Sequence, residues 1–288
     1  MRRIIFALAL TAALPVAAQQ AAPQLRLPRA SQKQVVTQTV GLTDVTITYS
    51  RPGVKSRQIF GALVPYDQVW RTGANEATTI SFSDDVTING QALPKGTYSL
   101  HTIPGKDEWT IVFNNTANQW GSFNYDPTKD ALRVKAKPQA APFAEWMTFE
   151  IPSVSPDQAT VAIHWEKLAV PFTIGTGTTQ KVLSDARAAV AAAKPDDWQT
   201  PLRAATFAIE NRVNLDEANR WLDQSIKANE NIRNLFEKAR AQAMAGDRAA
   251  AVATAQKAIS LAGPKDNDEV NEIKHSIASW GTPPTTSK

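Results

Sequence analysis

The hydrophobic pattern of this chain changes its period once, and that change restricts the available folds more than any other feature. Over residues 34–174, apolar and polar side chains alternate, as in VTITYS (45–50) and WTIVF (109–113), which is typical of half-buried β-strands. Beyond the segment GTGTT (175–179), the chain is rich in Ala, Glu, Asp, Lys, Arg and Gln, a composition typical of helices. The sequence therefore predicts a β domain over residues 34–174, a linker at 175–179 and an all-α domain over 180–280.

Short turn motifs divide the β half into strands. They are Asn89-Gly90, Pro94-Lys95-Gly96, Pro104-Gly105-Lys106-Asp107 and Asp126-Pro127. Each motif contains residues that favour tight turns. About nine or ten short strands at this spacing, with no helical pattern between them, predict an antiparallel β-sandwich or barrel.

The helical half contains two segments that resemble each other. NLDEANRWLDQSI (214–226) and DRAAAVATAQKAI (247–259) lie 33 residues apart, and each opens on a polar residue, Asn214 or Asp247, that can cap a helix. A period close to 34 residues resembles the helical hairpins of tetratricopeptide repeats. We predict six helices, either stacked as such hairpins or packed as an irregular bundle, over residues 180–194, 198–212, 216–228, 232–245, 248–262 and 267–279.

The chain begins with the pattern of a secretory signal peptide. Two arginines at positions 2 and 3 precede an apolar run over residues 4–16, and small residues end at Ala18. Because this run is shorter than the roughly 20 residues that span a bilayer, we expect cleavage after Ala18 and not a retained anchor. The protein is then periplasmic or extracellular, with no membrane span. The predicted terminal segments are a signal peptide over 1–18, an N-terminal extension over 19–33 and a disordered tail over 281–288.

Composition narrows the classes of function. The absence of cysteine excludes disulfides, a thiol nucleophile and a lipid anchor at the cleavage point. The formal net charge of +4, which falls to about +2 without the signal peptide, is too small to indicate a nucleic-acid partner. Neither a Gly-x-Ser-x-Gly elbow nor a phosphate-binding loop is present, and the histidines His101, His164 and His275 fall in separate elements. We expect no metal and no cofactor.

One polar stretch is a candidate site. In VWRTGANEATT, the residues Arg71, Asn75 and Glu76 follow one predicted strand and precede the next, so they lie at a corner of the sandwich where side chains are presented to ligands. Arg71 could hold an anionic group through two hydrogen bonds, and Glu76 could act as a general acid or base. Alternatively, Arg71 and Glu76 pair with each other or cap local amides. Arg51 and Arg57 precede this corner and join the candidate set.

Two further features lie near in sequence. Ser99 and His101 share one face of a predicted strand, and we expect this face to meet water, with a binding groove as the alternative. In NQWGSFNYDP, Trp120, Phe123 and Tyr125 alternate with polar residues. Aromatic rings beside amides suit a sugar-like or peptide ligand, whereas the competing interpretation anchors Trp120 and Phe123 in the core.

Several motifs resemble those of a secreted bacterial family, domain of unknown function 2911. The motifs occur in the family's order over residues 34–174, and they are SRPG, VWRTGANEATT, GTYSL, QWGSFNYDP and WEKLAVPF. The resemblance implies a β-rich exported domain, typical of Bacteroidota-like and related bacteria and often followed by a helical extension. It implies no activity and no catalytic residue.

Three functions agree with the sequence. The first is a non-catalytic ligand-binding or scaffolding protein of the cell envelope, with a small polar or sugar-like ligand in the β domain and a protein partner on the helices. The second is a metal-independent hydrolase or lyase that uses Glu76 and His101. The third is a purely structural module. The candidate ligand-binding residues are Arg51, Arg57, Arg71, Asn75, Glu76, His101, Trp120 and Tyr125.

Overall fold

The protein folds as a β domain followed by six helices. The structure, a computed structural model, describes residues 27–262 and 268–281. The predicted signal peptide at 1–18 lies outside the described residues, as do the first part of the predicted extension and the tail beyond residue 281. The prediction of a β domain followed by a helical domain is confirmed.

Ten strands form two antiparallel sheets within the described residues. The strands are β1 (Gln32–Val40), β2 (Thr43–Arg51), β3 (Thr79–Phe82), β4 (Val86–Ile88), β5 (Gln91–Leu93), β6 (Gly96–Ile103), β7 (Trp109–Asn114), β8 (Asp130–Ala136), β9 (Gln139–Val154) and β10 (Gln158–Gly175). One sheet has the order β1-β2-β3-β6-β7-β8 and the other the order β5-β4-β10-β9. This arrangement confirms the antiparallel sandwich.

The sandwich core follows from alternation along the strands. In β2, Val45, Ile47 and Tyr49 are buried while the residues between them are less so, because successive side chains of a strand point to opposite faces. Two strands differ from the expected short lengths, since β9 has 16 residues and β10 has 18. Their pairing contains register shifts between positions 160 and 168, which let one long hairpin bend along the sandwich.

An aromatic cluster lies beneath the polar corner. The ring of Trp70 stacks on Trp165 at a centroid distance of 5.8 Å, and Trp109 contacts Trp70 and Phe60 edge-on at 6.5 and 5.2 Å. Trp109 and Trp165 are each 1% exposed. Since Trp70 directly precedes Arg71, this cluster anchors the start of the corner to the core.

The helical half packs each helix against the next along the chain. The helices are α1 (Thr178–Ala192), α2 (Gln199–Glu210), α3 (Leu215–Ala228), α4 (Ile232–Met244), α5 (Arg248–Leu261) and α6 (Asp268–Gly281). The matched small residues Ala218 and Ala251 are both fully buried, so they allow close helix approach. The tetratricopeptide-like character of the stack stays a prediction. None of these described helices combines the length and apolar composition needed to cross a membrane.

The two predicted helix caps behave differently. The side chain of Asp247 accepts a hydrogen bond from the amide of Ala250 and caps α5 as expected. Asn214 stands at the cap position of α3, but its side chain makes no capping bond. Its backbone is left-handed, with φ of +49°, instead of the extended conformation typical of a capping residue, and its side-chain amide donates to Glu217 at 3.5 Å. The prediction of a side-chain cap at Asn214 is wrong.

The junction between the halves is short and tightly packed. Gly175 ends β10 and Thr178 begins α1, and Lys181 on α1 forms an ion pair of 3.0 Å with Asp84 of the sandwich. Gly41, in the turn between β1 and β2, has φ of +61°, and a Cβ there would collide with the side chain of Thr178 and the carbonyl of Pro156. Glycine is therefore required where this turn meets the first helix.

Candidate functional site

The corner between Trp70 and Thr79 has a strained backbone. Thr72 and Asn75 have φ of +52° and +61°, a conformation that costs energy and is rarest for β-branched residues such as threonine. Thr72 is fully buried, its hydroxyl donates to Thr102 Oγ1 at 3.1 Å, and its carbonyl accepts from the Thr78 hydroxyl at 2.7 Å. These bonds hold the loop in a shape that the local sequence alone would not prefer.

Asn75 and Glu76 connect this corner to the segment that precedes β1. Asn75 donates its side-chain amide to the carbonyl of Ser31 at 3.0 Å. Arg29 donates to both carboxylate oxygens of Glu76 at 2.6 and 2.7 Å and lies over the ring of Trp120, 5.8 Å from its centroid. The hydrogen bond from Arg29 lowers the pKa of Glu76. Glu76 therefore pairs with Arg29 and not with Arg71.

Arg51 and Arg57 do not join the corner. Arg51 donates Nε to the carbonyl of Met147 at 2.9 Å, which links the two sheets. Arg57 donates to the carbonyls of Val54 and Gly53 at 3.1 and 2.7 Å. Both guanidinium groups thus donate to backbone carbonyls away from the corner.

His101 is buried, which corrects the expectation that its face of the strand meets water. Both Ser99 and His101 are 0% exposed, because the loop that carries Gln119 and Ser122 covers them. His101 Nδ1 lies 3.2 Å from the Ser122 hydroxyl, and Nε2 lies 3.1 Å from the Ser99 hydroxyl. Gln119 Nε2 also approaches Ser99 Oγ, at 3.3 Å. The histidine is the centre of an enclosed polar chain.

The polar chain around His101 continues to the neighbouring strand. The Ser99 hydroxyl donates to the carbonyl of Asn114 at 3.5 Å, and Gln119 Nε2 lies 3.4 Å from His101 Nε2. Burial lowers the pKa of His101 to about 4, an effect that the charge of Asp130 opposes. His101 is therefore neutral at pH 7.

The aromatic loop contributes two rings to the surface. Trp120 is 54% exposed and Phe123 is 80% exposed, so the interpretation that they anchor the core is wrong. Trp120 is held by an isolated antiparallel bridge to Glu76. Tyr125 instead turns inward, donates to Asp130 at 2.7 Å and accepts from Arg133 at 2.8 Å. Burial and the Asp130 contact raise the pKa of Tyr125 to about 12.

A cavity of about 450 Å³ opens beside this corner. Glu76 lines it, as do three residues that sequence reasoning missed: Arg29, Lys33 and Gln119. Gln119 could have been predicted, because it directly precedes Trp120 in the aromatic loop. Arg29 and Lys33 could not, because they reach the cavity only when β1 pairs with β2. The remaining lining residues are Thr48, Tyr49, Ser50, Ala77, Thr79, Ala117 and Asn118.

Arg71 has no partner within the part of the chain that the structure describes. Its Nε is buried without a hydrogen bond, and burial lowers the pKa of its guanidinium. The Nη1 nitrogen lies near Gly121, whose φ is +65° and where a Cβ would be 3.3 Å from that nitrogen and 3.1 Å from the Phe123 ring. A glycine at this position leaves room for the arginine beside the exposed aromatic ring.

The paired acid and base of the hydrolase hypothesis do not meet. Glu76 bonds Arg29, whereas the hydrogen-bond partners of His101 are Ser99, Ser122 and Gln119, and no bond joins Glu76 to His101 among the described residues. Across residues 27–262 and 268–281, no three His, Asp or Glu side chains are grouped so that they could hold a metal ion. The arrangement offers hydrogen bonds, charge and aromatic surface for binding a ligand.

Comparison with protein-family models matches residues 31–174 to a protein family of unknown function, DUF2911. The chain belongs to this family. The resemblance inferred from the sequence motifs is thereby confirmed. The DUF2911 match covers the two sheets and all eight candidate site residues, whereas Arg29 and the six helices lie outside it. A comparison with curated proteins finds no match.

Proposed function

We propose that this protein is an exported, non-catalytic binding protein of the bacterial cell envelope that holds a small polar or sugar-like ligand at the corner of its sandwich. The observation that carries the proposal is the cavity of about 450 Å³ with Glu76 in its wall and the exposed ring of Trp120 beside it. The signal-peptide pattern at residues 1–18 supports export. Because the chain has no cysteine, the domains are stabilised without disulfides.

The lining of the cavity favours hydroxyl-rich ligands. Glu76, Asn118 and Gln119 provide amide and carboxylate groups that can bond sugar hydroxyls, and Arg29 and Lys33 add donors. Trp120, which is 54% exposed and pairs with Glu76 of the cavity wall, can stack on the apolar face of a sugar ring. A purely structural module would have neither an open cavity nor an exposed ring at the same place.

Replacement of Trp120 by alanine tests the saccharide part of the proposal. We expect wild-type protein to bind one or more members of a panel of neutral and acidic oligosaccharides, and the variant to bind at least roughly fivefold more weakly, because stacking contributes about 1 kcal/mol or more. Isothermal titration calorimetry measures both. Trp146→Ala is the matched control, since Trp146 is 44% exposed on β9 and pairs with Gly53, whereas Trp120 pairs with Glu76 in the cavity wall. Equal losses in both variants would refute a role for the corner.

We further propose that the helical half binds a protein partner. A groove of about 310 Å³ lies against α2 and the start of α4, and it combines apolar Trp198 and Phe207 with charged Arg203, Glu210 and Arg233. Apolar surface with charges around it is the usual composition of a site for a protein segment.

A charge reversal tests this groove. We expect Arg203→Glu to lose at least roughly tenfold in affinity for a partner captured from envelope extracts, because it changes the sign of charge at the groove. Arg220→Glu on α3 is the control, since Arg220 is exposed and does not line the groove. The measurement is quantitative pull-down with the full mature chain. A partner that binds all three proteins equally would show that this groove is not the interface.

A further inference from the structure

Arg71 differs from the other arginines that the structure describes. Three described arginines are not exposed, namely Arg51, Arg71 and Arg240. Arg51 bonds the Met147 carbonyl, and Arg240 pairs with Glu237 at 2.7 Å. Within residues 27–262 and 268–281, Arg71 makes neither a hydrogen bond nor an ion pair through its side chain. It is a half-buried cation for which the described chain supplies no counterion.

Such an arrangement is costly unless an anion complements it. A guanidinium remains charged at physiological pH, and a buried donor without an acceptor loses the hydrogen bonds that water would provide. Arg71 Nε is a buried donor of this kind. The two terminal nitrogens also lack hydrogen bonds but are not fully buried, so they reach the surface. The planar end of the side chain is thus free to bond a carboxylate through two parallel hydrogen bonds.

The surroundings hold Arg71 in this position. Its carbonyl accepts from the amide of Thr78 at 3.4 Å, and the next residue, Thr72, has the strained φ of +52° described above. On the other side, Gly121 leaves space for the guanidinium beside the ring of Phe123. Strained backbone that is maintained by surrounding bonds is characteristic of sites that position a functional group.

We propose that Arg71 binds the carboxylate of an acidic saccharide, whose sugar ring packs on the neighbouring exposed aromatic rings, Phe123 and Trp120. The inference rests on the proposed function, because it assigns the chemical class of the ligand at the same corner. The carboxylate accepts from the terminal nitrogens of Arg71, and the aromatic rings cover the apolar face of the sugar. A neutral sugar lacks the group that matches the unpaired cation.

A charged saccharide and its neutral methyl ester test this assignment. The probes are tri-galacturonic acid and its fully methyl-esterified form, with inorganic phosphate as a second anion, titrated into the mature full-length chain by calorimetry. We expect the acid to bind roughly 10- to 100-fold more tightly than the ester, since hydrogen bonds to charged groups have this effect. Arg71→Gln should abolish the difference, and Arg71→Lys should retain part of it. Arg220→Gln, at an exposed arginine on α3 that does not line the α2 groove, is the control.

A spectroscopic readout separates this inference from the proposed function. In nuclear magnetic resonance spectra, the Nε–H signal of Arg71 can be assigned by its loss in Arg71→Lys. Its chemical shift should change saturably when the acid or acetate is added and remain unchanged with the ester. Equal affinity for acid and ester would overturn the carboxylate assignment and leave the saccharide proposal intact. A shift with acetate and no saccharide binding would support the anion site and overturn the saccharide proposal. No binding and no shift would overturn both, and tighter binding of phosphate would replace carboxylate by phosphate.

Discussion

Replacement of Trp109 by alanine is expected to destabilise the β domain by about 3–5 kcal/mol. Trp109 is 1% exposed at the start of β7 and contacts the rings of Phe60 and Trp70. Removal of a large buried ring forfeits its transfer free energy and leaves a cavity that close-packed neighbours fill only partly. Because Trp70 directly precedes Arg71, the variant should also loosen the corner and weaken ligand binding.

Urea unfolding followed by far-ultraviolet circular dichroism measures the change in free energy of unfolding. Trp146→Ala is the control, since its ring is 44% exposed and its loss should cost about 1 kcal/mol or less. Near-ultraviolet circular dichroism additionally reports on the packing of the aromatic cluster. A loss below about 1 kcal/mol for Trp109→Ala would contradict the assignment of this cluster as the support of the corner.

Acidification from pH 7 to pH 5 is expected to reduce stability by about 2 kcal/mol through His101 alone. Burial holds the pKa of this group at about 4 in the folded protein, against an ordinary value of 6.5. The unfolded chain therefore takes up a proton as the pH falls below about 6.5, whereas the folded chain does not until about 4. Stability conferred by the neutral imidazole is present above this window and decreases within it as the pH falls.

The difference between wild type and His101→Gln isolates this contribution. The variant keeps a polar side chain but cannot titrate. Its loss of stability between pH 7 and pH 5 should therefore be about 2 kcal/mol smaller than that of wild type. His164 remains in both proteins; although burial lowers its pKa, the bonds to Glu150 and Pro142 raise it overall, and its effect cancels in the comparison. His275→Gln, on the exposed face of α6, is the surface control. Identical pH profiles for wild type and His101→Gln would disprove the buried neutral histidine.

The strand and helix content was accessible from the sequence because it depends on local periodicity. The alternation in Val45, Ile47 and Tyr49 determines which face of β2 is buried, and the change near Gly175 coincides with the end of β10. The great length of β9 and β10 was missed, because their bulges interrupt the alternation that the pattern depends on.

The candidate site was accessible only in part. The sequence predicts Arg71, Glu76 and Trp120 as site residues, because charged and aromatic side chains in a turn-rich stretch are often presented to ligands. The partner of Glu76 is Arg29, which lies 47 residues away, and no local pattern reports such a pairing. The prediction that His101 faces solvent is wrong for the same reason. Strand alternation cannot show that a later loop, which carries Ser122, covers that face.

The β domain, the helices that follow it, the family and the polar corner can all be predicted from patterns within the sequence. Which of the three arginines lacks a protein partner depends on tertiary contacts: Arg51 and Arg57 bond backbone carbonyls, whereas Arg71 remains unpaired among the described residues. The two kinds of information differ in range. Periodicity is set by neighbours within a few residues, whereas the partner of a charge is set by whichever distant segment folds against it.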